Sequence, residues 1–204
     1  MELKERIIKQ AGELFYQYGI KSVSMDDLAS SLGISKRTLY ENFKDKEDVL
    51  LSYLISIRDY RNDRIVELIE QSSNIVEVFL YFIDFHKNKK MPSTKFYEDI
   101  YKYYPRIYKL IQQDVEKNKV YLTQFLKQGI AEGYIRDNLN IDVAAFLVEE
   151  STYTYIRASY LEKPPFSFQE LFFTMMINFI RGISTDKGIK IIDNYLLNKT
   201  KEIN

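Results

Sequence analysis

The chain has 204 residues, 46% of them hydrophobic and 15% aromatic, and its 29 basic and 29 acidic side chains cancel; this excludes a disordered chain and a protein that coats nucleic acid through bulk charge. Cysteine is absent, which excludes a disulfide framework and thiolate metal sites and fits a reducing cytoplasm. No run approaches the roughly 18 apolar residues of a membrane span, and the opening Met1–Arg6 lacks the apolar segment of a signal peptide.

Residues 2–18 read as an amphipathic helix. Ile7, Ile8, Ala11, Leu14, Phe15 and Tyr18 recur at three- and four-residue spacing, and Gly19 ends the pattern. Ser24 is placed to cap a second helix, with Asp27 three residues on in a capping-box position and Val23 and Leu28 spaced as a hydrophobic staple. Gly33 stops it. The pattern then repeats: Ser35 caps, and Ile34 and Leu39 form the staple. Leu28, Ala29, Leu32, Ile34, Leu39 and Phe43 supply a small shared core, which leaves Lys36, Arg37, Thr38, Tyr40 and Asn42 largely outside it. Asp45 is placed to cap a long helix from Lys46 to about Gln71, whose middle, Arg58 to Arg64, is polar and charged.

From Asn74 onward the periodicity predicts an antiparallel helical bundle. Asn74 caps a helix through about His86, closed by the cations of Lys87 to Lys90. Pro92 opens a short tyrosine-rich helix that Pro105 breaks, and a long helix follows to about Gly133. Gly133 to Arg136 reads as a turn. Another helix starts near Asn140, and Pro164 and Pro165 force a loop. The last strong helix spans Phe168 to Ile183, and Ile189, Ile191, Ile192, Tyr195 and Leu196 suggest a further short one. The expected architecture is all-α, with about nine helices: an N-terminal three-helix domain over 1–46 and a C-terminal helical domain over 47–204.

Two capped helices joined by a glycine turn are helix-turn-helix geometry, in which the second helix enters the major groove N-terminus first. A helix N-terminus also offers free N–H groups to phosphate. The segments F-Y-Q-Y-G at 15–19, M-D-D-L-A at 25–29, G-I-S-K-R-T-L-Y at 33–40 and N-F-K-D-K-E at 42–47 resemble the N-terminal domain of the TetR family of bacterial transcriptional regulators. The resemblance covers about the first quarter of the chain. It implies a homodimeric repressor that binds a palindromic DNA operator, and a long fourth helix that connects DNA reader to sensor. On this basis Lys36, Arg37 and Thr38 are expected to contact base edges. Tyr40 and Lys46 are expected at phosphates, assisted by Ser24 and Thr38, with Ser35 capping the reading helix. The cations are local and interleaved with Glu41, Asp45, Glu47 and Asp48, so non-specific affinity should be weak and steeply salt-dependent.

A dimer is also expected on physical grounds. Leu171, Phe172, Phe173, Met175, Met176, Ile177, Phe179 and Ile180 cover most of the circumference of the last strong helix, and a helix apolar all round must be buried all round. Val143 to Val148 is similarly apolar. Pairing helices near 141–158 and 168–183 with their copies would give a four-helix interface, as the resemblance also implies.

Enzyme chemistry finds no support. His86 is the only histidine. The sequence holds no Glu-x-x-His metal pair, no glycine-rich phosphate loop and no nucleophile elbow. No cofactor is expected. A binding cavity is the better expectation for the second half, because tyrosine joins apolar surface to a selective hydroxyl. Phe79, Phe82, Tyr101, Phe125 and Tyr153 would line a site for a mainly apolar or aromatic small molecule, and an inward Glu150 would favour a cationic one. Two other readings fit the same residues: a DNA-binding regulator with no small-molecule ligand, and, more remotely, a helical-bundle enzyme.

Overall fold

A computed structural model describes residues 2–87, 94–148 and 167–203. Among the described residues the fold is all-helical, with ten helices. They are α1 Leu3–Tyr18, α2 Met25–Leu32, α3 Lys36–Asn42, α4 Lys46–Gln71, α5 Ile75–Lys87, α6 Thr94–Tyr103, α7 Pro105–Ala131, α8 over 141–148, α9 Phe168–Ile183 and α10 Asp186–Ile203. The chain divides into two compact units: Met1–Arg64 with Lys90–Gln112, and Ile65–Lys89 with Gln113–Asn204.

The capping residues act as their sequence positions predict. Asp45 Oδ1 accepts the Asp48 N–H at 2.9 Å, Asn74 Oδ1 accepts the Glu77 N–H at 3.1 Å and Asn140 Oδ1 accepts the Val143 N–H at 3.1 Å. Pro105 is the first residue of α7, where its missing N–H costs nothing. The cations after Lys87, Pro92, the continuation of the helix past Val148, Glu150, Tyr153, Tyr155, Pro164 and Pro165 lie outside the described residues.

The first unit is built on one apolar core. Ile7, Ala11 and Phe15 of α1 meet Leu28 and Ala29 of α2, Leu39 of α3, Phe43, and Val49 and Leu50 of α4. Phe96 and Ile100 of α6 and Ile107 of α7 belong to the same core. Helix periodicity identifies these as inward residues but not which core they enter, because a helix can join a partner distant in sequence. Burying each such side chain is worth roughly 1.5–3 kcal/mol.

In the second unit α9 packs on α5 and α10. Phe172, Met176, Ile177, Ile180 and Ile183 of α9 are buried within one chain, whereas Thr174, Asn178 and Arg181 are exposed. A single protomer therefore covers more of this helix than its composition suggests. Most of that cover comes from α5, and α10 adds to it: the short terminal helix of the sequence reading is 18 residues long, and its Ile192 is fully buried. Arg181 pairs with Asp193 and Lys199 with Asp84 between these helices. The Gly133 turn has φ +74°, and beyond it Ile135 forms an isolated antiparallel bridge with Ser184.

Candidate nucleic-acid interface

The interface begins with two caps. Ser24 Oγ accepts the Asp27 N–H at 3.1 Å while the Ser24 N–H donates to Asp27 Oδ2 at 2.8 Å, a closed capping box. The Ser24 hydroxyl also donates to Asp27 Oδ2 at 2.6 Å. This hydroxyl, with the Ser24 N–H, holds the Asp27 carboxyl below the usual carboxylate range. Gly33 takes φ +65°, ψ 30°, the left-handed conformation that ends α2 and turns the chain into α3. Ser35 Oγ then accepts the Thr38 N–H at 3.0 Å, and the Ser35 and Thr38 hydroxyls lie 2.8 Å apart.

These caps fix which face α3 presents. Leu39 is fully buried and Phe43, its C-cap, nearly so. Lys36, Arg37 and Tyr40 are exposed, the Arg37 side chain at 89% and Tyr40 at 53%. Thr38 is half-buried through its place in the cap. Ser35, Lys36, Arg37, Thr38 and Tyr40 thus come together on one short element, and Ser24 heads the helix that carries it. The Asn42 amide donates to the Thr38 carbonyl at 2.8 Å, tightening the end of α3.

Two carboxylates, Asp26 and Glu41, face these cations. Lys36 pairs with Asp26 across the turn, and Arg37 Nε lies 3.0 Å from Glu41 Oε1. The second pair has the i,i+4 spacing that could have revealed it; the first depends on how α2 and α3 cross. Both pairs are exposed, so each is worth at most about 1 kcal/mol and can open when a phosphate or base arrives.

Lys46 has a different setting. Its ammonium donates to the carbonyls of Ile20 and Val23, each at 2.8 Å, with that of Lys21 at 3.5 Å. Burial pushes its pKa down. The first residue of α4 thereby holds the loop that leads into α2. No side-chain pattern announces this, because the acceptors are backbone carbonyls.

The residues expected to line a ligand site are dispersed. Tyr101 falls in the first unit, is 68% exposed and sets its ring edge-on to Tyr108, 5.4 Å between centroids. Phe79, Phe82 and Phe125 fall in the second unit, where Phe79 is buried and the other two half-buried. Phe82 packs against His86 at 4.1 Å and Phe172 at 6.5 Å between ring centroids. His86 is half-buried: its Nδ1 lies 2.9 Å from the Phe82 carbonyl and its ring sits among Phe82, Phe85 and Phe172. A groove of about 430 Å³ lies elsewhere, beside Gly133, Arg136 and Thr185, and a second of about 270 Å³ beside Arg6, Lys9 and Ser31. Among the described residues no cluster of three or more His, Asp or Glu could hold a metal ion, and no helix is long and apolar enough to cross a membrane.

This constellation, a capped reading helix with an exposed cationic start, defines a helix-turn-helix DNA-binding protein. Residues 7–53 match the model of the bacterial regulatory proteins, tetR family. It is 24% identical over 196 residues to the HTH-type transcriptional repressor KstR2 of Mycolicibacterium smegmatis, covering 92% of this chain and 93% of that protein. The solved structure of the ketosteroid transcriptional regulator KstR2 of Mycobacterium tuberculosis shares the fold, with a TM-score of 0.63 at 20% identity over 91% of this chain and 96% of that one. A putative transcriptional regulator from Saccharomonospora viridis in complex with choline superposes with a TM-score of 0.75 at 19% identity, over 89% of this chain and 97% of that one.

Proposed function

We propose that the chain is a repressor that binds a palindromic operator as a homodimer and is released by a small molecule. Residues 1–46 are the reading head and 47–204 the sensing and dimerising part. The observation that carries the reading is α3 itself, whose buried Leu39 and Ser35 cap aim Lys36, Arg37, Thr38 and Tyr40 outward. Lys36, Arg37 and Thr38 read base edges and Tyr40 holds phosphate; Lys46, whose ammonium is taken by the Ile20 and Val23 carbonyls, acts by placing α2. Base contacts set sequence choice, and phosphate contacts set register.

The dimer is supported by α8, where the apolar Val143 and Phe146 are each 51% exposed. Together with α9 this face would form a four-helix interface that spaces two α3 helices one DNA turn apart, about 34–36 Å. The effector is of apolar or aromatic class, met by Phe79, Phe82 and Phe125 of the second unit. Tyr153, outside the described residues, belongs to the same lining, and Glu150, also outside them, extends the proposal to a cationic group. The choline complex of the Saccharomonospora regulator supports that choice of charge.

A second reading, regulation without a small molecule, draws on the packing of Phe82 against His86 and Phe172, which fills space instead of lining it. Selection from a random-sequence duplex pool at physiological salt tests the first claim: the wild-type chain should enrich a palindrome that an Arg37→Ala, Lys36→Ala variant does not. A library screen by thermal melting then separates the two readings. A compound that raises the melting temperature and lowers affinity for the selected duplex supports the effector, and a library without one supports the second reading.

A further inference from the structure

The loop over residues 19–23 joins α1 to α2 and sets where the Ser24 cap begins. It is held from two sides. Lys46 of α4 takes the Ile20 and Val23 carbonyls. From the other side Asp99 of α6 accepts the Lys21 backbone N–H on Oδ2 at 2.7 Å. The contact is close-fitting: Gly19 has φ +83°, and a Cβ added there would lie 2.9 Å from Lys95 Cβ and 3.0 Å from Asp99 Oδ2. The Lys21 ammonium donates to the Tyr103 hydroxyl at 3.0 Å and lies over that ring at 4.5 Å. Three turns of one helix, at Lys95, Asp99 and Tyr103, therefore follow this loop. Beneath it Ile20 is fully buried.

We infer that Asp99 is a positioning residue for DNA recognition: by fixing the Lys21 N–H it sets the register of α2, and through α2 the aim of α3. The inference rests on the DNA-reading proposal above. The residues that touch DNA lie within the first 46 positions, but the acceptor that registers their scaffold lies more than fifty residues downstream. A fixed charge-assisted acceptor confines an N–H far better than exchangeable water does. Base readout needs that confinement, whereas general attraction to phosphate does not.

Asp99→Asn and Asp99→Leu provide the test, because both remove the negative charge and only the first keeps an acceptor. The full-length chain is titrated with the duplex enriched by wild type from the random pool and with a scrambled duplex of the same composition. Exchange of the Lys21 amide and the melting temperature are followed in parallel. The ratio of the two affinities should fall about tenfold in Asp99→Leu, with faster Lys21 exchange, and stay within about twofold of wild type in Asp99→Asn. If Asp99→Leu does not fold, Asp99→Ala replaces it with the same expectations. Equal affinity ratios in the Asn and Leu variants, despite faster Lys21 exchange in the latter, would overturn the role of Asp99 while leaving the DNA reader intact. A wild-type chain that enriches no duplex overturns the reader itself, and the role of Asp99 with it.

Discussion

The ammonium of Lys46 lies 2.8 Å from the carbonyl oxygen of Val23, the residue immediately before the α2 cap. With the Ile20 carbonyl at the same distance, the start of α4 is tied to the loop that places α2. Lys46→Ala should therefore destabilise the first unit by about 1–2 kcal/mol, read from the urea midpoint. Duplex affinity should fall for every sequence alike, with little change in its salt slope. A variant with an unchanged urea midpoint and a slope flattened by about one would assign the ammonium to a DNA phosphate instead.

Arg37 and Glu41 form the second testable pair. The carboxylate pairs with the guanidinium along α3, and on the proposed reading it would compete with DNA for it. Glu41→Gln should raise affinity for both selected and scrambled duplexes by a few-fold and steepen the salt dependence. Arg37→Ala should instead relax the preference at one base pair by about 1–3 kcal/mol. Titration of point-mutated duplexes distinguishes these outcomes.

Gly12 is required by packing rather than by backbone angle. A Cβ at this position would lie 2.0 Å from Cε2 of Tyr53, whose ring stands edge-on to Tyr16 at 5.6 Å between centroids. Gly12→Ala must push the Tyr53 ring aside, and should cost about 1–3 kcal/mol in spite of alanine's better helix propensity. Thermal melting checks the sign: a rise in melting temperature would show that the ring moves freely.

The pH dependence follows from the two capping boxes headed by serine. The hydroxyl and backbone of Ser24 depress the pKa of Asp27, and the backbone and hydroxyl of Ser167 that of Glu170. A carboxyl whose folded pKa lies below its unfolded value contributes stability above the unfolded value, about 4, and loses it as the pH falls through the folded value. Stability should hold from neutral pH down to about 4 and decline below it. Asp27→Asn should flatten the part of that decline that belongs to the first unit, as followed by melting temperature against pH.

Much of this was legible in the sequence because capping and periodicity are local. Ser24, Asp27, Gly33 and Ser35 lie within one short run, and each contact they make is to a neighbour three or four positions away. The limits of α9 were equally readable from its apolar run over Phe168 to Ile183, and the structure adds that Ser167 and Glu170 close a box at its start. The ligand-lining set was not legible in the same way. Phe79 and Tyr101 both carry helical periodicity, yet one is buried in the second unit and the other exposed in the first. Periodicity reports which face of a helix is apolar, but not which neighbour covers it.

The sequence by itself determined the helices, their caps and the helix-turn-helix, because each rests on spacing along the chain and on the conformational preferences of serine, glycine and proline. The tertiary structure alone decided that α6 enters the core of the first unit, that Lys46 is held by backbone carbonyls, that Asp99 accepts the Lys21 N–H, and that α5 and α10 cover α9. Those relations join residues far apart in sequence through backbone groups and apolar surfaces, which every residue type can offer and no local pattern marks.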